Sequence, residues 1–145
     1  MIKYYAVIDT NVIVSSFIKS NSVPDAIVKM ALNGPIKPLM NDEILSEYTE
    51  VLTRNEFGFS KEMVENFVDE LSKQAIFLDR TQTTEEFTDL KDMVFYEVVL
   101  TARNAVGAYL VTGNKKHFPI KPFVVTPREM LDIIENDIEN DKDDN

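Results

Sequence analysis

Cysteine is absent from this 145-residue chain, glycine occurs only four times, and histidine once. The lack of cysteine excludes a disulfide scaffold and thiolate metal sites, and it fits a reducing cytoplasm. With 44% hydrophobic residues, the scarcity of glycine also excludes a low-complexity or disordered chain. The length suits one domain with a sizeable core. No apolar run is long enough to span a bilayer. The longest stretch, Tyr4 to Ile18, is interrupted by Asp9-Thr10-Asn11, has no basic start and is too short. The chain reads as soluble and cytoplasmic, with no membrane partner.

Basic charge is the other scarcity. Fifteen Lys and Arg face 25 Asp and Glu, a net charge of −10. Part of the excess is local: residues 135–145 carry Glu135, Asp137, Glu139, Asp141, Asp143 and Asp144 against Lys142 alone. This end reads as a disordered acidic tail on a domain spanning 1–134. An acidic body argues against broad nucleic-acid binding by charge, yet leaves room for an enzyme that grips a few phosphates through a metal.

Strand and helix patterns alternate along the chain. Tyr4-Tyr5-Ala6-Val7-Ile8 is a β-prone run ending in Asp9-Thr10-Asn11, where a helix starts with Thr10 or Asn11 as its cap. Ser22 and Pro24 open a second helix, which Asn33-Gly34-Pro35 stops. Ile36 to Met40 is a short strand whose Pro38 suits a sheet edge or a strand end. Ile44, Leu45, Tyr48, Val51 and Leu52 recur at helical spacing after Asn41 or Asp42, and put Glu47 at the margin of the buried face. Phe57-Gly58-Phe59 breaks the pattern before an amphipathic helix from Ser60, and Ala75 to Leu78 is a third strand. A polar loop from Thr81 leads to Asp89-Leu90-Lys91-Asp92 and a helix apolar nearly all round, with Gly107 its candidate C-cap. Ala108 to Val111 and Phe123 to Val125 are the last strands, and Thr126-Pro127 opens a final helix. The alternation predicts an α/β fold: a mainly parallel sheet of about five strands with helices on both faces, a three-layer sandwich.

Two of these strands end alike, in Asp9-Thr10-Asn11 and in Thr112-Gly113-Asn114. If they are neighbours, both oxygen-rich ends face one crevice at the carboxyl edge of the sheet, where ligands of such folds bind. Asp92 starts a core helix near the same edge, and Glu47 can reach it from the helix after the second strand. Asp9, Glu47 and Asp92 then form an oxygen-ligand set for a hard cation, Mg²⁺ or Mn²⁺, that activates water and neutralises phosphoryl charge. Each has an alternative role: Asp9 and Asp92 as helix caps, Glu47 as a solvated helix residue.

The pattern resembles the PIN-domain nucleases over roughly Lys3 to Met130, in particular their branch of toxin components of toxin–antitoxin pairs. The matching stretches are Val7-Ile8-Asp9-Thr10-Asn11, the helix Glu43 to Leu52, Asp89-Leu90-Lys91-Asp92, and Tyr109-Leu110-Val111-Thr112-Gly113-Asn114-Lys115-Lys116-His117-Phe118. The resemblance implies a ribonuclease with Mg²⁺ or Mn²⁺ in an acidic pocket, leaving 5′-phosphate and 3′-hydroxyl ends. It also implies RNA as substrate, a small antitoxin filling the groove, and dimerisation as a common state. Asp9, Glu47 and Asp92 match its first three acids. The fourth position, often Asp, is Asn114 here, which offers a carbonyl oxygen but no charge. Thr112 matches its supporting hydroxyl, and Thr10 and Asn11 flank the first acid.

Lys115, Lys116 and Lys121 are candidate phosphate contacts beside this site, with a solvated turn as the alternative. Asp89 is expected to shape its loop and Glu97 to sit beside the pocket or in solvent. His117 is not needed as a general base where a metal activates water. A second function class also fits: a catalytically weak module that holds a protein partner, motivated by Asn114 and the low basic charge. A phosphatase of the Asp-x-Asp type would need aspartate at Asn11.

Overall fold

The first strand sets the frame. In a computed structural model of the protein, which describes residues 3–143, β1 (Tyr4–Ile8) is the middle strand of a five-stranded sheet. Ala6, Val7 and Ile8 are buried, so neither face of this strand meets water, as a continuous run of Val, Ile and Ala requires. The other strands are β2 (Ile36–Met40), β3 (Ile76–Phe77), β4 (Tyr109–Val111) and β5 (Val124–Val125), in the order β3-β2-β1-β4-β5. All four pairings are parallel. From β1 the chain winds outward through β2 to β3, then crosses to the other side for β4 and β5. The topological switch point therefore lies between β1 and β4, where Ile8 pairs with Val111.

The connections are α1 (Thr10–Ile18), α2 (Val23–Asn33), α3 (Asp42–Leu52), α4 (Lys61–Gln74), α5 (Leu90–Arg103) and α6 (Pro127–Asp143), with a 3-10 turn at Lys115–His117. They flank the sheet to make the three-layer α/β/α sandwich that the alternation predicted. Helix α5 packs across β1, β2 and β4, while α2 packs against α1, α6 and β2. The apolar composition of α5 is explained by that position: Val94, Phe95, Tyr96, Val98, Val99 and Ala102 are all buried.

Local chemistry starts α2, α3, α4 and α6. Ser22, Asn41 and Ser60 cap α2, α3 and α4 by accepting from Asp25, Ile44 and Met63 N–H. Thr126 and Glu129 form a reciprocal capping box on α6: the Glu129 carboxylate accepts from Thr126 N–H, and Thr126 Oγ1 accepts from Glu129 N–H.

Three expectations are corrected. Pro38 lies in β2, an interior strand, paired with Ala6. Its missing N–H is tolerated because β3 pairs only with Leu39 and Met40. Met40 C=O accepts from Leu78 on that side, so by strand alternation Pro38 N faces the same side, before β3 begins. Gly107 does not cap α5, which ends at Arg103 with Asn104 as C-cap. The acidic end from Glu135 is helical through Asp143, where a disordered tail was expected. Buried Ile134 continues the apolar stripe of α6, and Tyr4 OH donates to Asp137 Oδ2 at 2.7 Å. Residues 144–145 of that tail lie outside the described residues.

Candidate active site

At the switch point the ends of β1 and β4 are tied together by side chains. Thr112, fully buried at the end of β4, donates its hydroxyl to Asp9 Oδ2 at 2.8 Å. Asn11 Oδ1 accepts from Gly113 N–H at 3.0 Å. A Cβ at Gly113 would lie 3.3 Å from that same oxygen, so glycine permits the close approach. Backbone pairing continues past the strands, with Asp9 N–H donating to Val111 C=O. The two oxygen-rich strand ends anticipated from sequence thus form one cluster.

Asp9 occupies the N-cap position of α1 but makes no capping hydrogen bond with its side chain. Its carboxylate is instead directed at a cavity of about 850 Å³ that also receives Thr10, Asn11, Glu47, Asp89, Asp92, Lys116 and His117. Asp9 is only 6% exposed. Burial, with the nearby charges of Asp92 and Glu47, pushes its carboxyl up to about 6, against the opposing pull of the Thr112 hydroxyl and the Thr10 amide. Burial and the Asp89 charge also raise the Asp92 carboxyl, while His117 draws it down.

Helix geometry brings the other acids. Glu47 comes from α3, and Thr10 donates its hydroxyl to Glu47 Oε2. On the same helix Tyr48, fully buried, donates its hydroxyl to Ile8 C=O, immediately before Asp9. Burial and the Asp9 and Glu47 charges hold that phenol well above its ordinary value, so it remains a donor. Asp89, rather than Asp92, caps α5 by accepting from Lys91 N–H at 2.9 Å. Asp92, one turn in, is left facing the cavity near the positive helix end.

The remaining candidates divide. Lys116 lines the cavity, whereas Lys115 Nζ pairs with Glu129 at 3.0 Å and Lys121 Nζ with Glu85 at 3.2 Å. Asn114 donates its backbone N–H to Thr112 Oγ1, and its side-chain nitrogen lies 3.1 Å from His117 Nε2. His117 Nδ1 lies 3.7 Å from Asp92 Oδ2. Glu97 corrects its expectation: it is buried, 2.7 Å from Arg80 and accepting from Thr83 N–H, where it fastens the loop after β3 to α5. Sequence reasoning also missed Arg54, Phe57 and Lys91, which line the cavity. The one available signal for Phe57 was the Phe-Gly-Phe break itself.

A family model for the PIN domain matches residues 5–116. The chain belongs to the PIN-domain family. The match takes in β1, the acids of α3 and α5, and the end of β4, and it points to a nuclease-like activity in general. No curated protein matches the chain. In this PIN domain, Asp9, Glu47, Asp89, Asp92, Glu85 and Glu86 outnumber the cavity's Arg54, Lys91 and Lys116, so the site favours a cation over a bare anion. Among the described residues, no group of three His, Asp or Glu side chains is arranged to hold a metal ion as it stands. The donors are nevertheless hard oxygens of the type that binds Mg²⁺, an ion held through one or two carboxylates and several waters rather than by an all-protein cage.

Proposed function

We propose that this PIN domain is a Mg²⁺- or Mn²⁺-dependent endoribonuclease that cleaves single-stranded RNA, and that it acts as the toxin of a toxin–antitoxin pair. The observation that carries the reading is Asp9: a buried carboxylate at the switch point, with no cationic side chain bonded to it among the described residues, sharing one cavity with Glu47 and Asp92. In a low-dielectric site such a group favours a positive partner.

Asp9 and Asp92 would hold the ion directly, with Glu47 completing the acidic wall. A bound divalent ion supplies Lewis-acid activation of water and neutralises charge at the phosphoryl group. The protein's own work is positioning. Thr112 engages Oδ2 of Asp9, Thr10 orients Glu47, and Tyr48 steadies the backbone before Asp9. Of Lys115, Lys116 and Lys121, Lys116 is the one that lines the cavity, where it would meet a substrate phosphate. Incubation of single-stranded RNA with Mn²⁺ should yield 5′-phosphate fragments, and EDTA or Asp9→Asn should abolish them. Cleavage that survives both would sink the reading. Growth arrest on expression, lost in Asp9→Asn, tests the toxin role.

Asn114 favours a second reading, because an amide stands where a fourth carboxylate is common in the resembling nucleases. On that reading the domain is a weak or inactive nuclease that acts by holding a protein partner. Calorimetric titration separates the two: heat of Mn²⁺ binding that disappears in Asp9→Asn supports the enzyme, and none at millimolar Mn²⁺ supports the binding module.

A further inference from the structure

One ring at the cavity wall, Phe57, lies outside the set of residues packed against the hydrophobic core. Phe57 lines the cavity and stacks on Phe59, with ring centroids 5.4 Å apart and planes 7° from parallel. Phe59 packs on Phe17 at 5.1 Å, and Phe17 meets Phe67 edge-on at 4.9 Å. Phe17, Phe59 and Phe67 pack against the hydrophobic core, but Phe57 does not belong to that set. It is the outermost ring of an anchored row. Gly58 between the two stacked rings has φ +65°, the left-handed conformation that folds Phe57 back onto Phe59, and a Cβ there would meet nothing. Arg54, held by Glu50 at 2.9 Å, lines the cavity beside it.

We infer that Phe57 is a nucleobase-stacking subsite, with Arg54 at its margin, for a base adjoining the phosphate bound over Asp9 and Asp92. The inference rests on the nuclease reading and specifies its substrate. A chain of net charge −10 gains little affinity from phosphate contacts beyond the bound ion and Lys116, so an uncharged interaction adds to the hold on the strand. Stacking on an aromatic ring does this without regard to base identity, and only a base free of its duplex partner can do it. The subsite therefore selects single-stranded RNA with little dependence on sequence or salt. A preassembled row of rings presents the platform with little ordering cost.

The test uses the full chain with Mn²⁺ and a set of single-stranded oligoribonucleotides, each with one abasic position near the cleavage point. Phe57→Leu should raise KM for intact RNA about tenfold, the scale of one stacked base, while Phe57→Tyr retains wild-type KM. One abasic position should raise KM of the wild type by a similar factor and leave Phe57→Leu unchanged. Thermal melts of both variants check folding. The subsite is overturned if Phe57→Leu matches wild type on intact RNA, if no abasic position affects the wild type, or if the two losses multiply. Absence of cleavage by the wild type itself is a different result: it overturns the nuclease reading and this subsite together.

Discussion

Two buried acids in this domain have opposite surroundings. Asp9 and Glu97 are almost equally hidden, at 6% and 5% exposure. Glu97 is met by the Arg80 guanidinium and by Thr83 N–H, so its charge is balanced where it lies. Asp9 is met by the neutral Thr112 hydroxyl and Thr10 amide and by the fields of two further acids. The contrast separates fastening from the function proposed for Asp9. A buried carboxylate with a cationic partner joins two segments, while one left among like charges stores an unfavourable energy that a bound cation can relieve.

The largest break in that comparison should come from neutralising each acid in turn. Asp9→Asn should take RNA cleavage below detection, a loss of at least about a hundredfold, the scale of losing a directly acting charged group, as read by initial rates in Mn²⁺. Glu97→Gln should leave cleavage near wild type but cost about 2 kcal/mol in urea denaturation, because Arg80 loses its buried partner and keeps only exposed Glu43.

A second difference lies in pH dependence. The Asp9 carboxyl is raised from 3.8 to about 6 by folding, so the native state binds a proton more tightly than the unfolded chain. Its contribution to stability is complete below pH 3.8 and is lost as pH rises through about 6. The loss amounts to about 3 kcal/mol at neutral pH. In metal-free protein, Asp9→Asn should therefore be more stable than wild type at pH 7, with the gap closing towards pH 4. Mn²⁺ should reverse that order at pH 7. Urea melts across this range, with and without Mn²⁺, provide the measurement, and a gap that does not change with pH would refute the assignment.

Smaller effects sharpen the picture. Thr112→Val removes the hydroxyl that orients Asp9 and should weaken Mn²⁺ binding about tenfold by calorimetry, the low end for a group supporting a ligand. Gly58→Ala should cost about 1 kcal/mol of stability from its left-handed backbone alone, since no atom opposes the new methyl group.

Much of the architecture was legible along the chain. Ser22, Asn41 and Ser60 mark helix starts because capping is a local hydrogen bond, and α5 announces its burial by being apolar on every side. Pro38 misled because its tolerance depends on how far β3 extends, a pairing between distant residues. The acidic end misled because charge count outweighed the apolar spacing of Met130, Ile134 and Ile138, which carries α6 onward. At the site, Asp9, Glu47 and Asp92 could be nominated from their positions at strand ends and on helices. Phe57 could not, since Phe-Gly-Phe reads as a break until its rings are seen to stack across Gly58.

The sequence by itself determined the alternating strands and helices, the helix caps and the two polar strand ends, because periodicity, capping and turn chemistry act over a few residues. Only the tertiary structure decided that β1 and β4 are neighbours, and so that Thr112 holds Asp9. It alone assigned Glu97 to Arg80 and gave Asp9 no such partner among the described residues, because an acid's role depends on which distant side chain the packing brings within hydrogen-bonding reach.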